Sequence, residues 1–355
     1  MQNIKSPAGN FFEDFSLGQT LIHGVPRTIT ESDATLYLAL TGSRFTLHCA
    51  KTVAAQVGFS STPIDNFLVF HIAFGKTVND VSLNAVANLG YAELCFHHAS
   101  FAGDTLSVSS EVIGLKENSS GKTGIVYVHS KAINQHQELV LDWKRWVMVK
   151  KKGVNTRSDI NQIPELQTLV SPANINLDSQ YDFSNWQASY SDNQKKFEDF
   201  NIGEVIDHRA GITINDTDHS LATRLYQNNA RVHFDQALMD DTPAQKRLVY
   251  GGHVISLCRS LSYNGLGNAV WLSTINGGAH SNPCYAGDTI YSQSKILEKH
   301  SIDGRDDLGI VRVQTFGTKN TPPEALTELY QLTNQRKKYH SDVVLDLDYN
   351  VLVIK

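Results

Sequence analysis

The feature that most constrains the fold of this 355-residue chain is that its first half returns in its second half. The segment Phe12-Glu-Asp-Phe-Ser-Leu-Gly18 returns 185 residues later as Phe197-Glu-Asp-Phe-Asn-Ile-Gly203. Four single-residue matches keep the same offset: Thr28 with Thr213, Asp33 with Asp218, Leu36 with Leu221, and His48 with His233. A chance match would not hold its register this long. The chain is therefore a tandem duplication, and both halves must adopt the same fold.

Each half predicts helices followed by long antiparallel strands. Runs rich in β-branched residues, separated by turn-like segments, predict strands at 105–117, 125–133, 139–149, 289–298, 310–319 and 343–354. An apolar helix is predicted at 253–261, after the break at Gly251-Gly252. A single apolar helix ahead of a long sheet indicates that the sheet wraps around it. In the last strand, alternation of Leu345 and Leu347 with Asp346 and Asp348 predicts one buried face and one solvent-exposed face.

A polar segment separates the two copies. Residues 154–193 are rich in Asn, Ser, Asp, Gln and Pro without a sustained period, which is typical of a connection that runs over the surface. We therefore predict an N-terminal domain at 1–153, a linker at 154–193 and a C-terminal domain at 194–355.

Charge and composition exclude several function classes. The chain has 31 Lys+Arg against 36 Asp+Glu, so no overall positive field attracts nucleic acid or anionic lipid. Its four cysteines form no C-x-x-C pair, which argues against a zinc ribbon or a disulfide framework. The N-terminus does not have the pattern of a signal peptide, and no apolar run reaches the length of a membrane span. We expect a cytoplasmic protein without nucleic-acid or membrane partners.

Two motifs in the second half resemble MaoC-like (R)-specific enoyl-CoA hydratases. The segment Tyr226-Gln-Asn-Asn-Ala-Arg-Val-His233 stands where those enzymes carry G-D-x-N-P-x-H, and Tyr250-Gly-Gly252 stands where they carry A-H-G. Further stretches resemble the narrower mesaconyl-CoA hydratase (β-methylmalyl-CoA dehydratase) family over nearly the whole chain; they include Leu68-Val-Phe-His-Ile-Ala-Phe-Gly-Lys-Thr77, Arg145-Trp-Val-Met148 and Leu248-Val-Tyr-Gly-Gly-His-Val-Ile-Ser256.

The resemblance implies an α+β protein with a tandem (double) hot-dog fold, in which each half is a long antiparallel sheet wrapped around a central helix. It implies a hydro-lyase that reversibly hydrates mesaconyl-CoA to β-methylmalyl-CoA, with a CoA thioester as substrate and with no metal or redox cofactor. The resemblance does not decide whether the chain forms a homodimer. Alternatives are a hydratase of another enoyl-CoA, a non-catalytic acyl-CoA-binding hot-dog protein and, more remotely, a hot-dog thioesterase.

Hydration of an unsaturated thioester needs an acid/base group for water and donors at the thioester oxygen. By resemblance, His233 is the acid/base residue. The Asp that accompanies this His in the general family is replaced by Asn228 here, and by Ser43 beside His48 in the first half. We expect Asn228 to orient the water, and Asp235 is the nearest carboxylate in sequence that could assist.

The start of the helix favours the second half as the catalytic one. Gly252 stands where the general family donates a backbone N–H to the thioester oxygen, and a glycine allows close approach. We expect Phe70 before His71 at the corresponding place in the first half, where it would crowd a thioester. His253 is a candidate substrate contact, whereas His48 and His71 are expected to be core residues.

The substrate's free carboxylate requires a cation if it is buried. Arg231 replaces the proline of the general motif, and Arg44 lies in the equivalent loop of the first half. Both are candidate carboxylate ligands; alternatively, they are surface arginines.

Overall fold

In the computed structural model, the described residues are 8–153, 159–175, 177–192, 195–334 and 336–355. Among these residues, the first copy and the connection after it contain four α-helices and six strands: β1 (Thr20–Thr28), α1 (Glu31–Thr41), α2 (Thr46–Cys49), α3 (Lys51–Gln56), α4 (Asn66–Thr77), β2 (Ala85–Phe96), β3 (Thr105–Glu117), β4 (Thr123–Ile133), β5 (Leu139–Lys150) and, in the connection, β6 (Asn161–Gln162). The remaining elements are β7 (Val205–Asp207), β8 (Ile212–Thr213), α5 (Asp216–Leu225), α6 (Gln236–Asp240), α7 (Gly251–Leu266), β9 (Ala269–Ala279), β10 (Thr289–Ile302), β11 (Arg305–Lys319), β12 (Tyr330–Thr333), β13 (Arg336–Tyr339) and β14 (Val343–Ile354).

The two copies share one continuous antiparallel sheet. Its main path runs β1-β3-β4-β5-β2-β9-β14-β11-β10-β7, so that the copies join edge to edge where β2 pairs with β9. Tyr91 lies opposite Gly278 at this joint, and Leu94 lies opposite Ile275. The predicted antiparallel strands are confirmed, with ends that move by a few residues, and so is the double hot-dog class.

The two long central helices, α4 and α7, are buried between the sheet and the shorter helices. Every residue of α4 is buried, and α7 is buried along most of its length. A helix that is apolar on all sides has no solvent-facing stripe and must lie inside the protein. The helix predicted at 253–261 is confirmed; it begins two residues earlier, at Gly251.

The outer face of the last strand differs from the prediction. Asp346 and Asn350 of β14 are buried instead of solvent-exposed. Asp346 accepts hydrogen bonds from Lys337 Nζ at 2.6 Å and from the Tyr339 hydroxyl at 2.9 Å, both on the β12–β13 hairpin. The alternating pattern located the polar face correctly, but it could not show that another segment covers this face.

The connection between the copies contributes to this cover. Apolar side chains from it pack against outward-facing residues of β9, β11 and β14; they are Val170, Ile175, Leu177, Tyr181, Phe183 and Trp186. The Trp186 indole N–H also donates to Asn268 Oδ1 at 3.2 Å. The connection thus lies along the outside of the sheet, and its apolar residues form a second core there, which its polar composition did not predict.

Candidate active site

The loop after α5 places Asn228 at the wall of a large cavity. Asn228 is buried, and its Oδ1 accepts the Ala230 N–H at 3.0 Å, which fixes the turn. Its side-chain amide N–H groups make no hydrogen bond to a residue in the described ranges, so they are free to donate into the cavity. The cavity has a volume of about 740 Å³, and its wall includes three cationic side chains, Lys76, Arg224 and Arg247.

His233 lies five residues further on, at the end of a short 3₁₀ turn. Its Nδ1 lies 2.8 Å from the Leu248 carbonyl oxygen. A carbonyl can only accept, so Nδ1 carries the proton and Nε2 keeps a lone pair. Burial lowers the pKa of His233 to about 4, against the smaller opposing effect of this hydrogen bond. The imidazole is therefore neutral at pH 7 and has the form that a general base needs.

Gly252 is the second residue of α7, and its N–H points out of the first helical turn. The preceding cap residue, Tyr250, provides no side-chain hydrogen bond to this turn, and no described residue accepts the Gly252 N–H. A Cβ at Gly252 would lie 2.4 Å from the Tyr250 ring and 2.7 Å from the His71 ring. The glycine is thus required by packing, and it leaves an unpaired donor at a helix N-terminus.

The equivalent helix start in the first half is already occupied. Helix α4 begins at Asn66, so Phe67 corresponds to Gly252, and the predicted equivalence with Phe70 is wrong. The cap residue is Asp65, whose Oδ1 accepts the Phe67 N–H at 2.9 Å. In the first half, a carboxylate therefore accepts the helix N–H whose counterpart in the second half, that of Gly252, has no partner in the described ranges. The negative charge of this carboxylate would also repel an enolate.

His48 retains part of the arrangement found around His233. Its Nδ1 lies 3.0 Å from the Pro63 carbonyl oxygen, at the same sequence separation as His233 and Leu248. His48 is half-buried and lines a smaller pocket of about 240 Å³ that also includes Asp65. The two copies thus share the histidine geometry and differ at the start of the helix.

His71 and His253 lie in the interior between the copies. The Nε2 of His71 lies 2.9 Å from Ser256 Oγ on α7, which also accepts the Tyr37 hydroxyl at 3.0 Å. Both histidines have an Nδ1 without a hydrogen-bond partner in the described ranges, and burial lowers the pKa of each. His71 is buried as expected, but it also contacts the start of α7.

The structure places the sequence-predicted arginines away from this interior. Arg231 is largely exposed and pairs with Asp235, with Nε and Nη2 lying 2.9 and 2.5 Å from its Oδ2. Asp235 also accepts the Leu238 N–H as the cap of α6, so its carboxylate is directed toward these two partners. Arg44 is half-exposed and bonds Asp192 and Asn264.

Sequence reasoning missed Tyr250 and Arg145. The Tyr250 ring packs 5.7 Å from the His233 ring, measured between centroids, and against Gly252. Arg145 is fully buried on β5, in the middle of the inward series Leu141, Trp143, Arg145, Val147 and Val149. The alternation of that strand was the signal that could have placed this arginine inside the protein.

The described ranges contain neither a cluster of metal-ligating side chains nor a membrane-spanning helix. No group of three or more His, Cys, Asp or Glu side chains is arranged to hold a metal ion. No helix there combines the length and the apolar character that are needed to cross a bilayer.

Comparisons with known proteins place the chain in a family. The family model for mesaconyl-CoA hydratase matches residues 4–322. The chain is 48% identical to the β-methylmalyl-CoA dehydratase of Chloroflexus aurantiacus and 42% identical to the mesaconyl-CoA hydratase of Cereibacter sphaeroides, each over 99% of both chains. A crystal structure described as a MaoC domain protein dehydratase from Chloroflexus aurantiacus superimposes with a TM-score of 0.95 at 48% identity, covering 99% of both chains.

A more distant structure supports the fold alone. A Mycobacterium tuberculosis protein described as having a double hot-dog fold is 23% identical, with a TM-score of 0.78 over 97% of this chain and 98% of that one. The family assignment rests on the closer matches. The family model and the relatives from Chloroflexus aurantiacus and Cereibacter sphaeroides each extend over most of the sequence. The chain therefore belongs to the mesaconyl-CoA hydratase family.

Proposed function

We propose that the protein reversibly hydrates mesaconyl-CoA to β-methylmalyl-CoA at a site in its second half. The observation that carries this proposal is the neutral His233, whose Nε2 has no hydrogen-bond partner in the described ranges. The ring of Tyr250 packs against both His233 and Gly252, whose helix N–H is likewise unpaired in those ranges. Hydration of an enoyl thioester requires this pair of functions, a base for water and a donor for the enolate oxygen. The first half has a comparable histidine but no free donor at the corresponding position.

In the proposed reaction, Nε2 of His233 removes a proton from a water molecule that Asn228 orients. The water oxygen adds to the β-carbon of the double bond, and electron density moves to the thioester oxygen, where it is stabilised by the Gly252 N–H. The imidazolium then returns a proton to the α-carbon, which restores the neutral base. The reverse sequence eliminates water from β-methylmalyl-CoA.

The cavity beside Asn228 suits an anionic CoA chain. Lys76, Arg224 and Arg247 line it, and Lys76 donates to Gln227 Oε1 without an ion pair to a carboxylate in the described ranges. Burial lowers the pKa of Lys76 to about 8, so the ammonium group stays mostly charged at neutral pH. We propose that the thioester enters from this side and places its acyl group toward Tyr250.

The deciding experiment follows the ultraviolet absorbance of the conjugated enoyl thioester together with the release of free thiol. Reversible hydration predicts that absorbance falls when mesaconyl-CoA is the starting material and rises when β-methylmalyl-CoA is, until both reach the same equilibrium value, without release of thiol. Release of thiol would instead identify a thioesterase. Binding of mesaconyl-CoA without any change in absorbance would identify a non-catalytic acyl-CoA-binding protein.

A further inference from the structure

Arg145 is a buried cation whose hydrogen-bonding capacity is only partly used. It is 1% exposed. Its Nη2 donates to Thr77 Oγ1 at 2.8 Å and lies 3.5 Å from Ser82 Oγ, whereas Nε and Nη1 have no partner in the described ranges. The guanidinium lies 4.3 Å from the centroid of the Phe74 ring. An incompletely paired charge in a protein interior is costly unless a ligand completes it.

The second copy provides an internal comparison. Strands β2 and β9 are equivalent, and Tyr91 of β2 corresponds to Ile275 of β9, 184 residues later. Arg145 lies opposite Tyr91, and Tyr349 on β14 lies opposite Ile275, so Tyr349 takes the strand position of Arg145 in the second copy. The second copy carries its buried guanidinium on α7 instead, as Arg259, which lies 3.6 Å from the Phe45 centroid. Arg259 donates to Ser262 Oγ at 3.3 Å and to the Ala269 carbonyl at 2.8 Å. Within the described ranges, none of the Arg259 nitrogens is left buried and unpartnered, whereas two of the Arg145 nitrogens are. In the second copy Arg247 also has an unpartnered Nε, but its guanidinium is ion-paired with Asp216.

The surroundings of Arg145 connect it to the proposed catalytic groups. Burial lowers the pKa of Arg145 to about 10, against smaller opposing effects of Tyr91 and Tyr250, so it remains protonated at neutral pH. Phe74, which lies under the guanidinium, packs 5.8 Å from the Tyr250 ring, and that ring packs 5.7 Å from His233. The Tyr250 hydroxyl also has no hydrogen-bond partner in the described ranges. Arg145 and this hydroxyl are therefore donors without partners in the described ranges, and the rings of Phe74 and Tyr250 connect Arg145 to His233.

We propose that Arg145 binds the free carboxylate of the acyl group and thereby makes the site selective for dicarboxylyl-CoA thioesters. This inference rests on the proposed function. A carboxylate would accept from the unused guanidinium nitrogens, and it would supply the counter-charge that no carboxylate in the described ranges provides to Arg145. Arg231 and Arg44 are less suited because both are exposed and already paired with aspartates. The first half thus supplies the acyl receptor, and the second half supplies the acid/base chemistry.

The test compares two saturated thioesters, which cannot be hydrated, so that binding is measured apart from catalysis. Methylsuccinyl-CoA carries the carboxylate, and 2-methylbutanoyl-CoA has a methyl group in its place. Dissociation constants are measured by calorimetry for the wild-type protein, Arg145→Met and Arg259→Met. Arg259→Met removes a buried guanidinium from the other copy and is the matched control.

We expect Arg145→Met to weaken methylsuccinyl-CoA binding about 100-fold, as for loss of one partner of a desolvated charge pair, and 2-methylbutanoyl-CoA binding less than about threefold. Arg259→Met should lower the melting temperature and leave the ratio of the two constants unchanged. Equal weakening of both ligands by Arg145→Met would overturn the proposal, and so would a selective loss in Arg231→Met instead.

Two further readouts keep the result decisive. If Arg145→Met does not fold, Arg145→Lys retains the charge but offers a single nitrogen, and a selective loss of about tenfold is expected for methylsuccinyl-CoA; an unchanged ratio would overturn the proposal. If the wild-type protein prefers methylsuccinyl-CoA but does not hydrate mesaconyl-CoA, the proposed reaction fails while the role of Arg145 stands. If it hydrates mesaconyl-CoA and Arg145→Met does so equally well, only the role of Arg145 fails.

Discussion

At the scale of single residues, the protonation of His233 is set by one backbone carbonyl and by burial. The Leu248 oxygen fixes the proton on Nδ1, and the apolar surroundings keep the ring neutral. The motif in the sequence led to His233, Asn228 and Gly252, but it could not assign a tautomer. Arg145 was missed because a motif search looks for residues near each other in sequence, whereas this arginine reaches the interior from a strand of the other copy.

Replacement of His233 by Ala should lower kcat for hydration by about two orders of magnitude or more, because the base for water is lost. His48→Ala should cost less than about tenfold, since the helix N–H of its own copy is already bonded to Asp65. Steady-state kinetics of both variants check this, with circular dichroism to confirm folding. Equal losses in the two variants would contradict the assignment of chemistry to the second half.

Asn228→Asp tests whether the amide is suited to this substrate. Asp could still accept the Ala230 N–H, but it offers no donor to the cavity and introduces a charge that repels an anionic substrate. We expect kcat/KM for mesaconyl-CoA to fall by about tenfold or more. Asn228→Ala, which adds no charge, separates the two effects. Higher activity in Asn228→Asp would show that a carboxylate serves better here and that the amide has been misinterpreted.

At the scale of elements, the two central helices differ most at their caps. The Asp65 carboxylate accepts the Phe67 N–H in the first turn of α4, whereas Tyr250 gives no side-chain hydrogen bond to the first turn of α7. The six long strands β3, β4, β5, β10, β11 and β14 were predictable because a period of two residues is a local property, whereas β2 and β9, which join the copies, were not predicted. The covered outer face of β14 and the two caps were not, since each depends on residues that become neighbours only in the folded protein.

The cap of α4 can be transferred to α7 by Tyr250→Asp. The new carboxylate should accept the Gly252 N–H, as Asp65 accepts that of Phe67, and kcat should fall by roughly 100-fold or more. Tyr250→Leu removes the ring without providing a cap and serves as the control for lost packing. Kinetics of the two variants decide the matter: if both lose the same activity, the free helix N–H has no part in the reaction.

At the scale of the whole molecule, several histidines are buried in the neutral form. Burial lowers the pKa of His208, His233, His253 and His280 to about 4 each. In the unfolded chain, each would have a pKa near ~6.5. Between these values the unfolded state binds more protons than the folded state, so acid favours unfolding.

The free energy of unfolding should therefore fall by roughly 1–2 kcal/mol per buried histidine between pH 7 and pH 5. Urea titrations at the two pH values measure this change. His208→Gln is the control, because His208 lies outside the proposed site and bonds Asn264 O and Ser294 Oγ. This variant should lose roughly 1–2 kcal/mol less unfolding free energy than the wild-type protein between pH 7 and pH 5, because one buried histidine is absent. A stability that stays constant from pH 7 to pH 5 would contradict the neutral state of these rings.

The edge-to-edge joint between β2 and β9 has a consequence for how the enzyme behaves on dilution. Arg145 and His71 come from one copy and His233 and Gly252 from the other, and a single chain connects them through one sheet. Two separate chains would assemble such a site only above their dissociation constant, whereas covalent linkage holds the copies at an effective concentration in the millimolar range or higher. Association of the two copies should consequently not limit the specific activity per chain at any protein concentration, even in the most dilute assay.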